Sequence, residues 1–379
     1  MIYLDNAATT PVHPKVLKVM LPYLEKQYGN PSGIYEFAEK SKDVIDGVRE
    51  TIAASINAKP EEIYFTSGGT ESDNWALVGM AEALKDKGRH IITTSIEHHA
   101  VINTCEYLKQ RGFDITYLDV DSNGIINPRQ LMNAIRKDTI LISIMAANNE
   151  TGSIQPVQVI GGIAKRNNIC FHTDAVQAYL HMDIDVNKMN IGMMSASAHK
   201  FRGAKGCGFL YIRDGIKPAI FMHGGKQESG IRAGTENVPG IAGMGEAVRI
   251  AMQDMHKDIV YVRNMRDYLL YRIEHEIPGV VLNGSRHMRL PGNLNVSFLG
   301  IEGQSLLIML DMDGICTSSG SACTAGTGGG SHVLKALGAS GDRLKGALRM
   351  TLGTQNTMEE MDYVIWRLKE NVAALRDKD

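Results

Sequence analysis

A lysine follows a histidine in SASAHKFRGAKGCG, residues 195 to 208, where a strand-like run gives way to an irregular stretch. An amine there can attack a carbonyl once its surroundings lower its pKa, and a Schiff base is the usual product. Lys200 fits that role beside His199; a solvated loop lysine is the alternative, and Lys205 in the same stretch reads that way. In CFHTDAVQA, residues 170 to 178, Asp174 closes an apolar strand. A carboxylate at that point can keep a ring nitrogen protonated, or can simply cap a helix. TSGGTESDN, residues 66 to 74, follows one strand and opens a helix, so the backbone of Gly68, Gly69 and Thr70 can cradle a phosphate. An ordinary capped turn is the competing reading. SIEHHAVINT sets His98 and His99 at the start of another helix. Adjacent positions do not share a helix face, which argues against a shared metal and leaves a ring lying over a planar cofactor, or a surface histidine. MAANNETG places Asn148, Asn149 and Glu150 at one more strand end, either to fix a ligand oxygen or to close a turn.

The elements that position these residues alternate. Runs such as IYFT (63–66), HIITT (90–94), ITYLDV (115–120), TILISIMA (139–146), CFHTDA (170–175), IGMMSASA (191–198) and GFLYI (208–212) are separated by helical patterns. One of these is NPRQLMNAIRK, with Asn127 as N-cap and Pro128 at the first helical position. That alternation predicts an α/β fold with a mostly parallel seven-stranded sheet covered on both faces, and ligands in such sheets gather at the strands' carboxyl ends. Every candidate above falls at such an end. Together they supply a phosphate cradle, a ring-nitrogen carboxylate, a stacking ring and a Schiff-base lysine, the parts pyridoxal phosphate requires. After about residue 255 the pattern changes to a long helix (DIVYVRNMRDYLLYRIEHEI), the runs GVVLNG, LNVSF and ALRMTL, and a last helix, which reads as a smaller α+β domain. The expected division is 15–255 for the large domain and 1–14 with 256–379 for the small one, which carries a cysteine loop at about 318–332.

That loop, CTSSGSACTAGTGGGSHVLKALG (316–338), holds Cys323 among glycine, serine and threonine. Each glycine adds entropy that is lost on ordering, so the composition predicts a mobile, exposed thiol. The other four cysteines, 105, 170, 207 and 316, lie in or beside apolar elements; an odd total with no C-x-x-C pair argues against a disulfide framework or a structural zinc site. No metal is expected. The chain has 379 residues, 44% hydrophobic, with 40 Lys and Arg against 42 Asp and Glu. This balance excludes nucleic acid or an anionic membrane as an electrostatic partner. With no targeting segment and no spanning apolar run, a cytoplasmic protein with a small substrate is expected.

YLDNAATTPV, TSGGTESDN, EHHAV, NNETG, TDAVQ, SAHK, RAGTENV and SSGSACTAG, in this order, resemble the NifS/IscS-type cysteine desulfurases, pyridoxal-phosphate enzymes of aminotransferase fold type I. The match spans essentially the whole chain, and SSGSACT is similar to the subclass with a long cysteine loop. The glycine run 326–330 departs from the family's usual continuation. The resemblance implies Lys200 as the Schiff-base lysine, Asp174 as the partner of the ring nitrogen and His98 as the stacking ring. Gly69, Thr70, Ser197 and His199 would bind the phosphate, joined across a homodimer by Thr235 of the partner subunit. Asn149 and Gln177 would contact the ring oxygen or substrate, and Arg349 the substrate carboxylate, which suits a guanidinium fork. Cys323 would take sulfur from L-cysteine as a persulfide, leaving alanine, with an iron–sulfur scaffold protein as the implied acceptor. Other readings share these residues: a fold-type-I aminotransferase or selenocysteine lyase, or a weakly active sulfur-assembly scaffold. A cysteine hydrolase using His332 as base would lack the cofactor.

Overall fold

The seven runs read as strands form one sheet. In the computed structural model, which describes residues 1–319 and 330–377, its order is Ile63–Thr66, Gly208–Ile212, Met193–Ser197, Cys170–Asp174, Thr139–Ser143, His90–Thr94 and Asp114–Leu118. Gly208–Ile212 pairs antiparallel with both neighbours. The other six strands run in one direction, so their carboxyl ends share one edge. The strands His90–Thr94, Thr139–Ser143, Met193–Ser197 and Gly208–Ile212 are buried along their whole length, as expected where helices cover both faces. Apolar side chains on one face include Ile92, Ile142, Phe171 and Met194. Those on the other include Ile91, Leu141, Met193 and Leu210 with Trp75 and Leu77 of the Gly69–Leu84 helix.

A second core lies under a three-stranded antiparallel sheet, Ala347–Thr351, Asn293–Phe298 and Val280–Leu282. Helices Gly303–Met312 and Met358–Arg376 supply Leu306, Leu310, Val364 and Leu368 to it. The start of the chain joins this region: Ile2–Tyr3 pairs in parallel with Ile315–Cys316, and Leu4 is fully buried in the second core.

The helical pattern read from residue 258 begins twenty residues earlier. One helix runs from Val238 to Glu276, 39 residues, about 58 Å at 1.5 Å per residue. Its N-cap is Asn237, whose side chain accepts from the Gly240 amide at 3.1 Å. Its first turns bury Val238, Ile241, Met244 and Val248 in the first core, and its last turns bury Val262, Met265, Leu269 and Ile273 in the second. The two apolar stripes are separated by an exposed stretch, which hides the continuity from a reading based on periodicity. No helix among the described residues is long and apolar enough to cross a membrane.

Candidate active site

The strand Ile63–Thr66 stops where Gly68 takes φ +147°, and the Gly69–Leu84 helix starts at the next residue. The turn is tied by Thr66 Oγ1 to Ser72 Oγ at 2.8 Å and by the Ser72 hydroxyl donating to the Gly68 carbonyl at 3.1 Å. A Cβ on Gly69 would stand 2.5 Å from Val176 Cγ2, so only glycine lets the helix start this close to that side chain. The unpaired amides of this first turn open toward a cavity of about 260 Å³ that Gly69, Thr70, Ser197 and His199 line together. Burial, with Lys200 and Lys205 nearby, lowers the His199 pKa to about 4. Its neutral ring pairs Nδ1 with Thr9 Oγ1 at 3.1 Å. With Thr9 donating, Nε2 carries the proton and can donate to an anion.

Asp174 closes the Cys170–Asp174 strand in the same cavity and is 5% exposed. The Val176 amide donates to its Oδ1 at 2.9 Å. A second carboxyl, Asp73, lies one helical turn past Gly69 and is 1% exposed. Its Oδ1 has no hydrogen-bond partner among the described residues; His172 Nε2 lies 3.6 Å from it. His172 is held between Ser143 at 2.9 Å and Ser195 at 3.0 Å, and burial pushes its pKa down to about 3, so it is neutral. Burial raises both acids. Asp73 is pushed well up by burial and by Asp174, against a hydrogen bond from Ser195, whereas His98, the Val176 amide and Lys200 restrain the rise at Asp174. Of the pair, Asp73 is raised the more and Asp174 is the better held as an anion.

Lys200 ends the single turn Ala198–Lys200 that follows the Met193–Ser197 strand. Its Nζ donates to the carbonyls of Ala7 at 2.5 Å and Ala8 at 2.8 Å, and Gln177 Nε2 donates to the same Ala7 carbonyl at 2.9 Å. His98 caps the His99–Lys109 helix by accepting the Ala100 amide at Nδ1, 3.1 Å. Burial lowers its pKa; the neutral ring then carries its proton on Nε2. On the far wall, Arg349 of the Ala347–Thr351 strand donates from Nη2 to Asp5 Oδ1 at 2.7 Å and from Nη1 to the Asn149 carbonyl at 3.1 Å. Its Nε is buried without a partner among the described residues. Glu150 accepts from Ser331 at 2.5 Å, and the His99 and His332 rings meet edge-on at 4.9 Å.

Gly69, Thr70, His98, Asn149, Asp174, Gln177, Ser197, His199, Lys200 and Arg349 thus line one cavity. A neighbouring cavity of about 130 Å³ shares Ala7, Gln177 and Lys200 but is walled by apolar Met255, Ile259 and Val262. Thr235 is not brought in; it lines a separate cavity with Ser67, Cys207 and Arg232. Cys323 lies outside the described residues. No group of three or more His, Cys, Asp or Glu that could hold a metal occurs among the described residues. The sequence reading missed Asp73, which lines the cavity, and Asp5 and Thr9, which bond to Arg349 and His199. Asp73 carried a usable signal, since it stands four residues after Gly69 and so faces the same side of the helix.

The lined residues fit pyridoxal phosphate. The helix start and His199 offer donors to a phosphate, and Asp174 offers a buried carboxylate to a protonated ring nitrogen.

The class-V aminotransferase family model matches residues 2–364. A cysteine desulfurase IscS from Methanosarcina thermophila is 52% identical, covering 99% of this chain and 93% of that one. One from Clostridium botulinum is 49% identical over 99% and 95%. Among solved structures, a NifS-like protein superposes with a TM-score of 0.93 at 38% identity, covering 99% of this chain and 100% of that one. Fold, cavity and likeness agree: the chain belongs to the class-V aminotransferase family and, within it, to the IscS/NifS-type cysteine desulfurases, pyridoxal-phosphate enzymes of fold type I.

Proposed function

We propose that the protein converts L-cysteine to L-alanine and transfers the sulfur to Cys323 as a persulfide. Written in full, L-cysteine and the Cys323 thiol give L-alanine and the Cys323 persulfide, with atoms and electrons balanced. The observation that carries this reading is the convergence of Lys200, Asp174, His98 and Arg349 on one cavity. When bound, pyridoxal phosphate supplies the electron sink for breaking bonds at the substrate's α- and β-carbons. Gly69, Thr70, Ser197 and His199 hold its phosphate, and the Asp174 carboxylate keeps its ring nitrogen protonated. His98 packs on the ring and presents Nε2–H. Asn149 and Gln177 orient the ring oxygen and the substrate. Arg349 fixes the substrate carboxylate, which leaves the Cα proton to be taken by Lys200 Nζ. The Cys323 thiolate attacks the substrate sulfur and accepts it.

The protein works as a homodimer in which Thr235 of the partner subunit completes the phosphate site. The division into 15–255 and 1–14 with 256–379 is supported by the two apolar cores. The persulfide is passed in the cytoplasm to an iron–sulfur scaffold protein.

Purified Cys323→Ala holoenzyme should retain its visible absorbance and bind cysteine, yet form neither alanine nor persulfide; normal turnover would refute the assignment. Mixing Lys200→Ala chains with Thr235→Ala chains should restore activity through one intact site per hybrid dimer. Failure to restore it, with hybrids verified, would overturn the shared site.

A further inference from the structure

A cleft of about 490 Å³ lies between the last turns of the Val238–Glu276 helix and the 283–293 segment, away from the active site. Four arginines line it, Arg263, Arg266, Arg286 and Arg289, against two carboxylates, Asp267 and Glu274. Both carboxylates are already engaged: Arg266 Nε donates to Asp267 at 2.7 Å, and Arg286 forks onto Glu274. Arg263 and Arg289 have no carboxylate within ion-pair distance among the described residues. Arg289 is 5% exposed and donates only to the carbonyls of Ser285, Asn283 and Asn293 and to the Asn293 side chain. Its burial, together with Arg266 and Arg286, lowers its pKa to about 9. Arg266 is 4% exposed; Nη1 donates to the Leu290 carbonyl at 3.0 Å, and Nη2 has no partner among the described residues. The cleft therefore holds an excess of two positive charges and a buried guanidinium with an unused donor. A concave site of this kind draws a divalent oxyanion, which guanidinium groups bind through paired donors.

We propose that this cleft binds a phosphate dianion, inorganic or carried on a small organic molecule, between Arg263, Arg266 and Arg286, and that its occupancy steadies the turn at residues 148–152. The route is continuous. Arg289 Nη1 reaches Asn293 Oδ1 at 3.5 Å, Asn293 Nδ2 donates to the Asn149 carbonyl at 3.4 Å, and Arg349 donates to that same carbonyl at 3.1 Å. A second link runs from Arg266 to the Leu290 carbonyl, while the Leu290 amide donates to Gly152 at 2.9 Å. An anion that fixes Arg266 and relieves the repulsion on Arg289 holds both links in place.

The test uses holoenzyme, whose own phosphate site is filled by the cofactor. Inorganic phosphate and glycerol phosphate are titrated calorimetrically at constant ionic strength, with chloride as the control. The expected result is saturable binding of one phosphate per chain, weakened about tenfold or more in an Arg263→Ala/Arg286→Ala variant. Both side chains are exposed, so the variant keeps its fold. Tighter binding of glycerol phosphate supports an organic ligand, and equal affinity supports the inorganic ion. Amide exchange at 148–152 should slow in the presence of phosphate. Heats no larger than those with chloride, or unchanged affinity in the double variant, overturn the site. Binding without slower exchange overturns the link to the turn.

Discussion

Arg349 and Asp5 lie 344 positions apart in sequence and are joined in the cavity by a 2.7 Å bond from Nη2 to Oδ1. The guanidinium assigned to the substrate carboxylate is therefore already opposed by an anion. A carboxylate must share the fork with Asp5 or displace it. Asp5→Asn removes that competitor, and KM for cysteine should fall severalfold with kcat little changed. Arg349→Ala removes a charged hydrogen-bond donor, which contributes about 1.5–3 kcal/mol, and KM should rise by at least about tenfold. Steady-state kinetics checks both; a higher KM in Asp5→Asn would contradict the competition.

Gly69→Ala should weaken cofactor binding without unfolding the protein. The new methyl would meet Val176 Cγ2 at 2.5 Å, and a β-branched valine has little rotamer freedom to retreat. The helix start must then move off the phosphate. Titrating apoprotein with pyridoxal phosphate should show affinity reduced by about tenfold or more, with far-ultraviolet circular dichroism unchanged.

Glu97 gives the stability a pH dependence of definite sign. It is fully buried, and desolvation raises its pKa from 4.5 to about 8, against hydrogen bonds from Thr94 and the Met145 amide. The folded chain therefore holds a proton that the unfolded chain has released above pH 4.5. The stabilisation is fully present below 4.5 and is lost as pH rises through about 8, amounting to roughly 3–5 kcal/mol across that window. Glu97→Gln should flatten this slope in denaturant unfolding series between pH 5 and 9. An unchanged slope would show that the carboxyl is ionised throughout.

Arg49 and Glu228 hold the edge of the large sheet. The guanidinium forks onto the carboxylate at 2.9 Å on both nitrogens, and Glu228 Oε2 also accepts the Phe65 amide at 2.8 Å. Both side chains are largely buried. Glu228→Ala leaves a buried cation and an unpaired strand amide, so unfolding free energy should drop by about 3–5 kcal/mol. Glu228→Gln keeps the amide's acceptor and should recover part of that loss.

Much of the site was legible in the residues alone, because strand carboxyl ends can be recognised from local pattern. Lys200, Asp174, Gly69, His98 and Asn149 each follow an apolar run that stops, and a parallel sheet must bring such stops to one edge. The alternation of periods likewise fixed the seven strands. What it could not supply were relationships between segments far apart in sequence. Asp5 opposes Arg349 only because the chain's first residues pair beside Ile315–Cys316 and cross the last strand of the small sheet. Asp73 is pushed up because the packed Gly69–Leu84 helix removes it from water near Asp174, and no local propensity records burial of that kind. Only the second half of the helix Val238–Glu276 was legible, from residue 258, since its two ends bury their apolar faces in different cores. Composition and spacing determined which residues could do the chemistry; packing decided which of them meet and which lose contact with water.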